Sequence, residues 1–194
     1  MNSSDFRARA AQELVEIRNE VLSLATDRDV YWRVQREVIQ KNARLLTTRS
    51  PFFDMLNDSY AHATASRVRR LVDHDSRTVS LRRLIEQLAD YPDLLAGKMS
   101  ADDLKNDLAE LDTTCKKVKD YVNQFVAHHE RNSCGPVPTH RDLNEAVDTL
   151  VAKFRKYYGL INNADIDVVV GYLEDTLSIF RFPWIDAPSV PAGR

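Results

Sequence analysis

The chain has 194 residues, of which 43% are hydrophobic and 29% charged, and its formal net charge is −2. That length suffices for one domain with a buried core, and the charge removes any case for nucleic-acid binding from bulk basicity alone. No apolar run reaches the length of a membrane span and no signal-peptide core opens the chain; with only two cysteines, the expectation is a reducing, cytoplasmic setting without a disulfide framework.

Five glycines weigh against a turn-rich β fold, and the apolar residues recur at helical steps. Ser3, Ser4 and Asp5 offer caps to a first helix reaching about Ala25, with Leu14, Ile17, Val21 and Leu24 on one face. Thr26-Asp27-Arg28-Asp29 reads as a turn, followed by a second helix from Val30 to about Thr47 that buries Trp32, Val38, Ile39, Leu45 and Leu46. Ser50-Pro51 starts a third, with Ser as cap and Pro at the first helical position. It runs to about Asp73 and presents Phe52, Met55, Leu56, Tyr60, Val68 and Leu71. Ser80 caps a shorter helix containing Leu81, Leu84, Ile85 and Leu88, which ends near Tyr91-Pro92.

After Gly97, Ser100 and Asp103 form a capping box for a long fifth helix. Its core stripe runs through Leu104, Leu108, Leu111, Cys115, Val118, Val122 and Phe125. The last turns carry Asn123, His128, His129 and Arg131 ahead of the breaker Gly135-Pro136. Thr139 and Asp142 repeat the capping box before a sixth helix with Leu143, Val147, Leu150, Val151 and Phe154. Ile166–Phe182 is expected to be helical, although Val168-Val169-Val170 would also suit a strand. Residues 1–182 thus read as one all-α domain, a bundle of mostly antiparallel helices, with an irregular tail over 183–194. No P-loop, glycine-rich nucleotide loop, nucleophile elbow or zinc-hydrolase motif occurs, so no cofactor is expected.

Three stretches resemble the HEPN superfamily, and within it the abortive-infection branch of type U. They are Tyr31-Trp32 with Asn42, Leu45 and Leu46; Arg70-Leu71-Val72-Asp73 followed by Val79-Ser80-Leu81-Arg82-Arg83-Leu84; and Asn123 to His128 followed by Pro138-Thr139. Their order and spacing cover roughly residues 30–155. The resemblance implies a HEPN-like bundle with additional flanking helices, in which Arg and His from two subunits meet and cleave RNA without metal. His serves as acid or base and Arg stabilises the phosphorane charge. The signature is Arg, a polar residue, then His four to six residues after the Arg. Asn123 and His128 match it, while Val122 stands in the Arg position. Valine cannot hold a phosphate, so the implied endoribonuclease motif is degenerate.

Other arginines are placed to substitute. Arg131 lies one turn beyond His128, and Arg67, Arg69 or Arg70 can approach from the third helix. Arg69 and His74 satisfy the spacing literally, but arginine is frequent enough for one such pair to arise by chance. The candidate catalytic set is therefore His128, Asn123 and Arg131. The implied partners are RNA, a second copy of the chain and a partner or antitoxin protein.

Each signal also has a plainer explanation. Histidines at a helix C-terminus interact well with the last carbonyls, and Asn123 would suit any solvated helix face. His128, His129, Cys134 and His140 fit no standard zinc spacing. Arg67, Arg69, Arg70, Arg82, Arg83, Lys116, Lys117 and Lys119 form a phosphate-binding surface if their helices converge, and otherwise a solvated face interspersed with carboxylates. Tyr31, Trp32, Tyr157 and Tyr158 read as core or interface rather than as stacking platforms. The competing function is a non-enzymatic helical module for dimerisation or partner binding.

Overall fold

A computed structural model describes residues 2–42, 45, 51–126, 137–168 and 177–181. Among the described residues every regular element is helical and none is a strand. Helix α1 spans Ser3–Arg33, its first turn capped by the Asn2 side chain, which accepts from the Asp5 amide at 2.8 Å. Phe6, Ala10, Leu14, Ile17, Val21 and Leu24 make its buried stripe. The turn expected at Thr26–Asp29 does not exist: the helix continues through it and into a π-helical segment, Val34–Ile39. That polar run has no Gly or Pro to break the backbone. Its side chains are held by ion pairs instead, Asp27 with Arg67, Arg28 with Asp148 and Asp29 with Arg33.

Helix α2 covers Pro51–Leu71, α3 Leu81–Leu88, α4 Pro92–Leu95, α5 Ala101–Tyr121 and α6 His140–Asn162. The capping boxes at Ser100/Asp103 and Thr139/Asp142 both form, and Ser80 caps α3 by accepting from the Arg83 amide. Tyr60, Val68 and Leu71 of α2 are buried, but Phe52 and Met55, expected on the same stripe, are 46% and 56% exposed. The first turns of α2 carry them away from the core. Trp32 and Val38 are half-buried and Ile39 is buried.

Helix α6 ends at Asn163, whose φ of 52° is left-handed, a conformation Asn tolerates better than most residues. Residues 165–168 that follow are not helical, so the helix expected from Ile166 does not begin there. Val168 is instead buried as irregular chain. Ser178–Arg181 forms a 3-10 turn. The rest of that expected helix, the tail, the proposed Ser50 cap and the end of the second predicted helix lie outside the described residues, apart from Leu45, which is half-buried.

Four long helices close into a ring: α1 packs on α6 and α2, and α5 packs on α6 and α2. Cross-links fix their directions. Arg7 Nε donates to the Ile161 carbonyl at 2.7 Å while Trp32 reaches Asn144, so α1 and α6 are antiparallel. Glu20 pairs with Arg70 and Tyr31 with Asn57, and Lys117 pairs with Asp142 while Asp107 meets Lys153. Each neighbour is therefore reversed, as the sequence suggests. One contiguous core, including Phe6, Leu14, Leu84, Leu111, Phe154 and Tyr157, runs through the ring. Each such side chain contributes about 1.5–3 kcal/mol of burial. The antiparallel order gathers the end of α1 and the starts of α2 and α6 at one pole, and lays the end of α5 against the second half of α2.

Candidate functional site

Where it lies against the second half of α2, α5 widens into a π-helical segment, Val122–Val126. A π turn adds a residue to the turn and re-aims the side chains around it. Val122 remains on the buried stripe at 4% exposure, directed into the core. Asn123, the next residue, is half-buried and meets α2. There Arg69 Nε donates to Asn123 Oδ1 at 3.0 Å, and Arg69 Nη1 donates to Asp73 Oδ2 at 2.6 Å.

Asp73 is itself held in place. Its Oδ1 accepts from the Asp75 amide at 3.1 Å, and its carbonyl accepts from the Ser80 hydroxyl that caps α3. Burial acts to raise the Asp73 pKa. The Asp75 amide, the Arg69 hydrogen bond and the positive charge of Arg69 outweigh that and hold the carboxyl below its ordinary range. The Arg-Leu-x-Asp and Ser-Leu stretches thus do local work: they build a rigid turn that presents Arg69 to the end of α5. Arg70 of the same stretch points elsewhere, to Glu20.

A second polar cluster sits between α1, α2 and α6. Tyr31 stacks on Tyr60 at 4.0 Å and donates its hydroxyl to Asn57 Oδ1 at 2.8 Å. Its oxygen also lies 3.2 Å from His140 Nε2. A hydroxyl carries one proton, so His140 is the donor in that bond. Trp32 Nε1 donates to Asn144 Oδ1 at 3.2 Å. Tyr31 is 5% exposed and Tyr157 fully buried, which makes both structural. On α2, His62 Nε2 and the Tyr121 hydroxyl are 2.8 Å apart.

Of the sequence-derived catalytic set, Asn123 is placed and His128 and Arg131 lie outside the described residues, as do His129 and Cys134. Among the described residues no group of three or more His, Cys, Asp or Glu could hold a metal. Of the basic residues, Arg82, Lys116 and Lys119 share the wall of one cleft, where Glu86, Asp112 and Asp120 stand among them, and most of the others are paired. Arg67 is paired with Asp27, Arg70 with Glu20, Lys116 with Asp120 and Lys117 with Asp142. Arg82 grips Asp112 through two hydrogen bonds of 2.8 and 3.0 Å, and Arg83 donates to the Ser76 and Thr78 carbonyls. The ion-paired face is what forms. The sequence marked Arg69 as one of three candidates from its helix and as a chance-level match with His74, placed Tyr60 on the core stripe, and gave no role to Asn57 or His62. These contacts join residues far apart in the chain, and no local pattern marks them.

A ring of four antiparallel helices, with a polar turn ending α5 and an arginine delivered to it from α2, is an all-α bundle of the HEPN kind. The HEPN_AbiU2 family model, described as AbiU2, matches residues 10–177. The chain belongs to that family, the AbiU2-type abortive-infection branch of the HEPN superfamily. No curated protein and no solved structure matches it. Among the described residues no helix is long and apolar enough to cross a membrane.

Proposed function

We propose that this abortive-infection protein acts on RNA as a metal-independent endoribonuclease, with its centre at the end of α5. His128 serves as acid and base, taking the 2′-hydroxyl proton and returning one to the leaving 5′-oxygen. Arg69 replaces the cation missing at Val122, and Asn123 orients it. The observation that carries this reading is the 3.0 Å bond from Arg69 to Asn123, which brings a guanidinium to the residue beside Val122. A guanidinium has five N–H donors. The bonds to Asn123 and Asp73 use two of them and leave the others for a phosphate, whose developing charge they stabilise. Arg131 is the competing source of that cation. The reading includes a homodimer in the cytoplasm, with the two sites facing each other as the family resemblance implies.

A second reading, a non-enzymatic dimerisation or partner-binding module, draws support from Asp73, whose negative charge partly neutralises Arg69. The purified chain decides between them. Incubated with single-stranded RNA and a metal chelator, it should give products ending in a 2′,3′-cyclic phosphate, and His128→Ala should abolish them. Absence of cleavage by the wild type, or equal cleavage by His128→Ala, sinks the nuclease reading and leaves the binding module.

A further inference from the structure

Between α1 and α6, on the side of the bundle opposite Asn123, lies a cleft of about 650 Å³. Trp32, Arg36, Asn144 and Arg155 line it beside the carboxylate of Asp29, which is paired with Arg33, over a small apolar floor that includes Ala25 and Val151. Its chemistry is divided in a particular way. Arg28, also on its wall, is spent on Asp148, whereas Arg36 and Arg155 make no ion pair among the described residues. The Trp32 indole is fixed by its bond to Asn144. Its ring contacts with Tyr31 and His140 are T-shaped, at 78° and 77°, and no described ring stacks on it face to face. Arg155 also belongs to an adjoining cleft of about 510 Å³, which adds Lys98 and Lys156. Lys156 is held by Asp107 and Asp165 also lines that second cleft, so Arg155 is the cation that the two clefts share.

We propose that this cleft binds single-stranded RNA, with one base stacked on Trp32 and the flanking phosphates held by Arg36 and Arg155. Flat aromatic rings and nearby cations are the pairing that single strands exploit, because every base has a π-face and every linkage a negative charge. A volume of this size suits one nucleotide unit. An acidic peptide would engage the arginines but leave the indole without a partner. The inference rests on the reading of this chain as an RNA-acting protein, but it places strand binding away from the cleavage centre.

The test uses the full chain carrying Trp184→Phe and His128→Ala, so that Trp32 is the sole tryptophan and any cleavage is blocked. Titration with a short adenine RNA oligonucleotide should quench Trp32 fluorescence saturably. Arg36→Glu with Arg155→Glu, both surface changes, should weaken binding about tenfold or more and flatten its salt dependence, since about 0.7 counterion is released per phosphate contact on a single strand. Anisotropy of the labelled oligonucleotide reports binding independently of the indole. Binding by anisotropy without quenching, binding untouched by the double substitution, or equal displacement by oligoglutamate would each overturn the cleft. If His128-dependent cleavage proceeds while the cleft variants bind normally, the cleft fails and the nuclease stands. If the cleft variants lose binding and the wild type never cleaves, the cleft stands and the nuclease fails.

Discussion

Asp107 is a carboxylate in the interior of the bundle, 6% exposed, beside Lys153 at 8%. It accepts from Lys153 Nζ, Lys156 Nζ and the Tyr157 hydroxyl, each at 2.7 Å. Replacing it with alanine leaves Lys153 as a buried charge without its best partner. Breaking one side of a buried pair costs about 3–5 kcal/mol. Glu110 still holds Lys153, but its side chain is 55% exposed, so its compensation is partial and the lower end, about 3 kcal/mol, is expected. For a chain of this size that lowers Tm by about 6–12 °C. Asp107→Leu with Lys153→Met removes both charges and should return to within about 1 kcal/mol of wild type.

The pH dependence of that difference follows from the charges. Burial acts to raise the Asp107 pKa, but the hydrogen bonds from Lys153, Lys156 and Tyr157 overcome it and hold the value below the ordinary one. Its contribution is therefore complete above the unfolded value of about 3.9 and is lost as pH falls through the folded value. The gap between wild type and Asp107→Ala should be full at pH 7 and should narrow only in strong acid. Chemical denaturation at several pH values measures it. A single substitution within about 1 kcal/mol of wild type, or a double that costs the sum of its singles, would refute the reasoning.

Val122→Arg puts an arginine where the resemblance expects one, at a position only 4% exposed. The new charge is forced into the core, so the variant should melt several degrees lower, at about 2–4 °C per kcal/mol, without faster RNA cleavage. A stable variant with increased cleavage would show that residue 122 can face the site. Cys115 is 1% exposed, and burial, aided by the negative charge of Asp112, pushes its thiol up to about 12. In a Cys134→Ser background at pH 8, a thiol reagent should label it only as fast as the chain unfolds. Rapid labelling of the native protein would contradict that placement.

Much of the bundle was legible because its signals are local. The α5 stripe from Leu104 to Val122, both capping boxes and the Ser80 cap depend on neighbours within a turn or two of helix. The false turn at Thr26–Asp29 shows the limit. A polar run mimics a break, but these residues are held by Arg67 and Asp148 from other helices, which periodicity cannot see. Phe52 and Met55 fail for a related reason: an apolar stripe does not say where the neighbouring helices stop covering it. The same holds at the site. The burial of Val122 was legible from the α5 stripe, whereas the resemblance only nominated Asn123. The bond that joins Arg69 to Asn123 spans 54 residues of sequence and exists only once α2 and α5 pack.

In the proposed nuclease, α2 supplies the cation that Val122 lacks. The most direct test is the rate of RNA cleavage, under chelator, by Arg69→Ala beside Arg131→Ala, with folding of both confirmed by melting. Loss of a single charge-stabilising donor at a reacting centre costs about 10²–10³ in rate. Arg69→Ala should show that loss while Arg131→Ala keeps most of the wild-type rate. Wild-type cleavage by Arg69→Ala, with activity abolished in Arg131→Ala, would contradict the account and move the cation to the end of α5 itself.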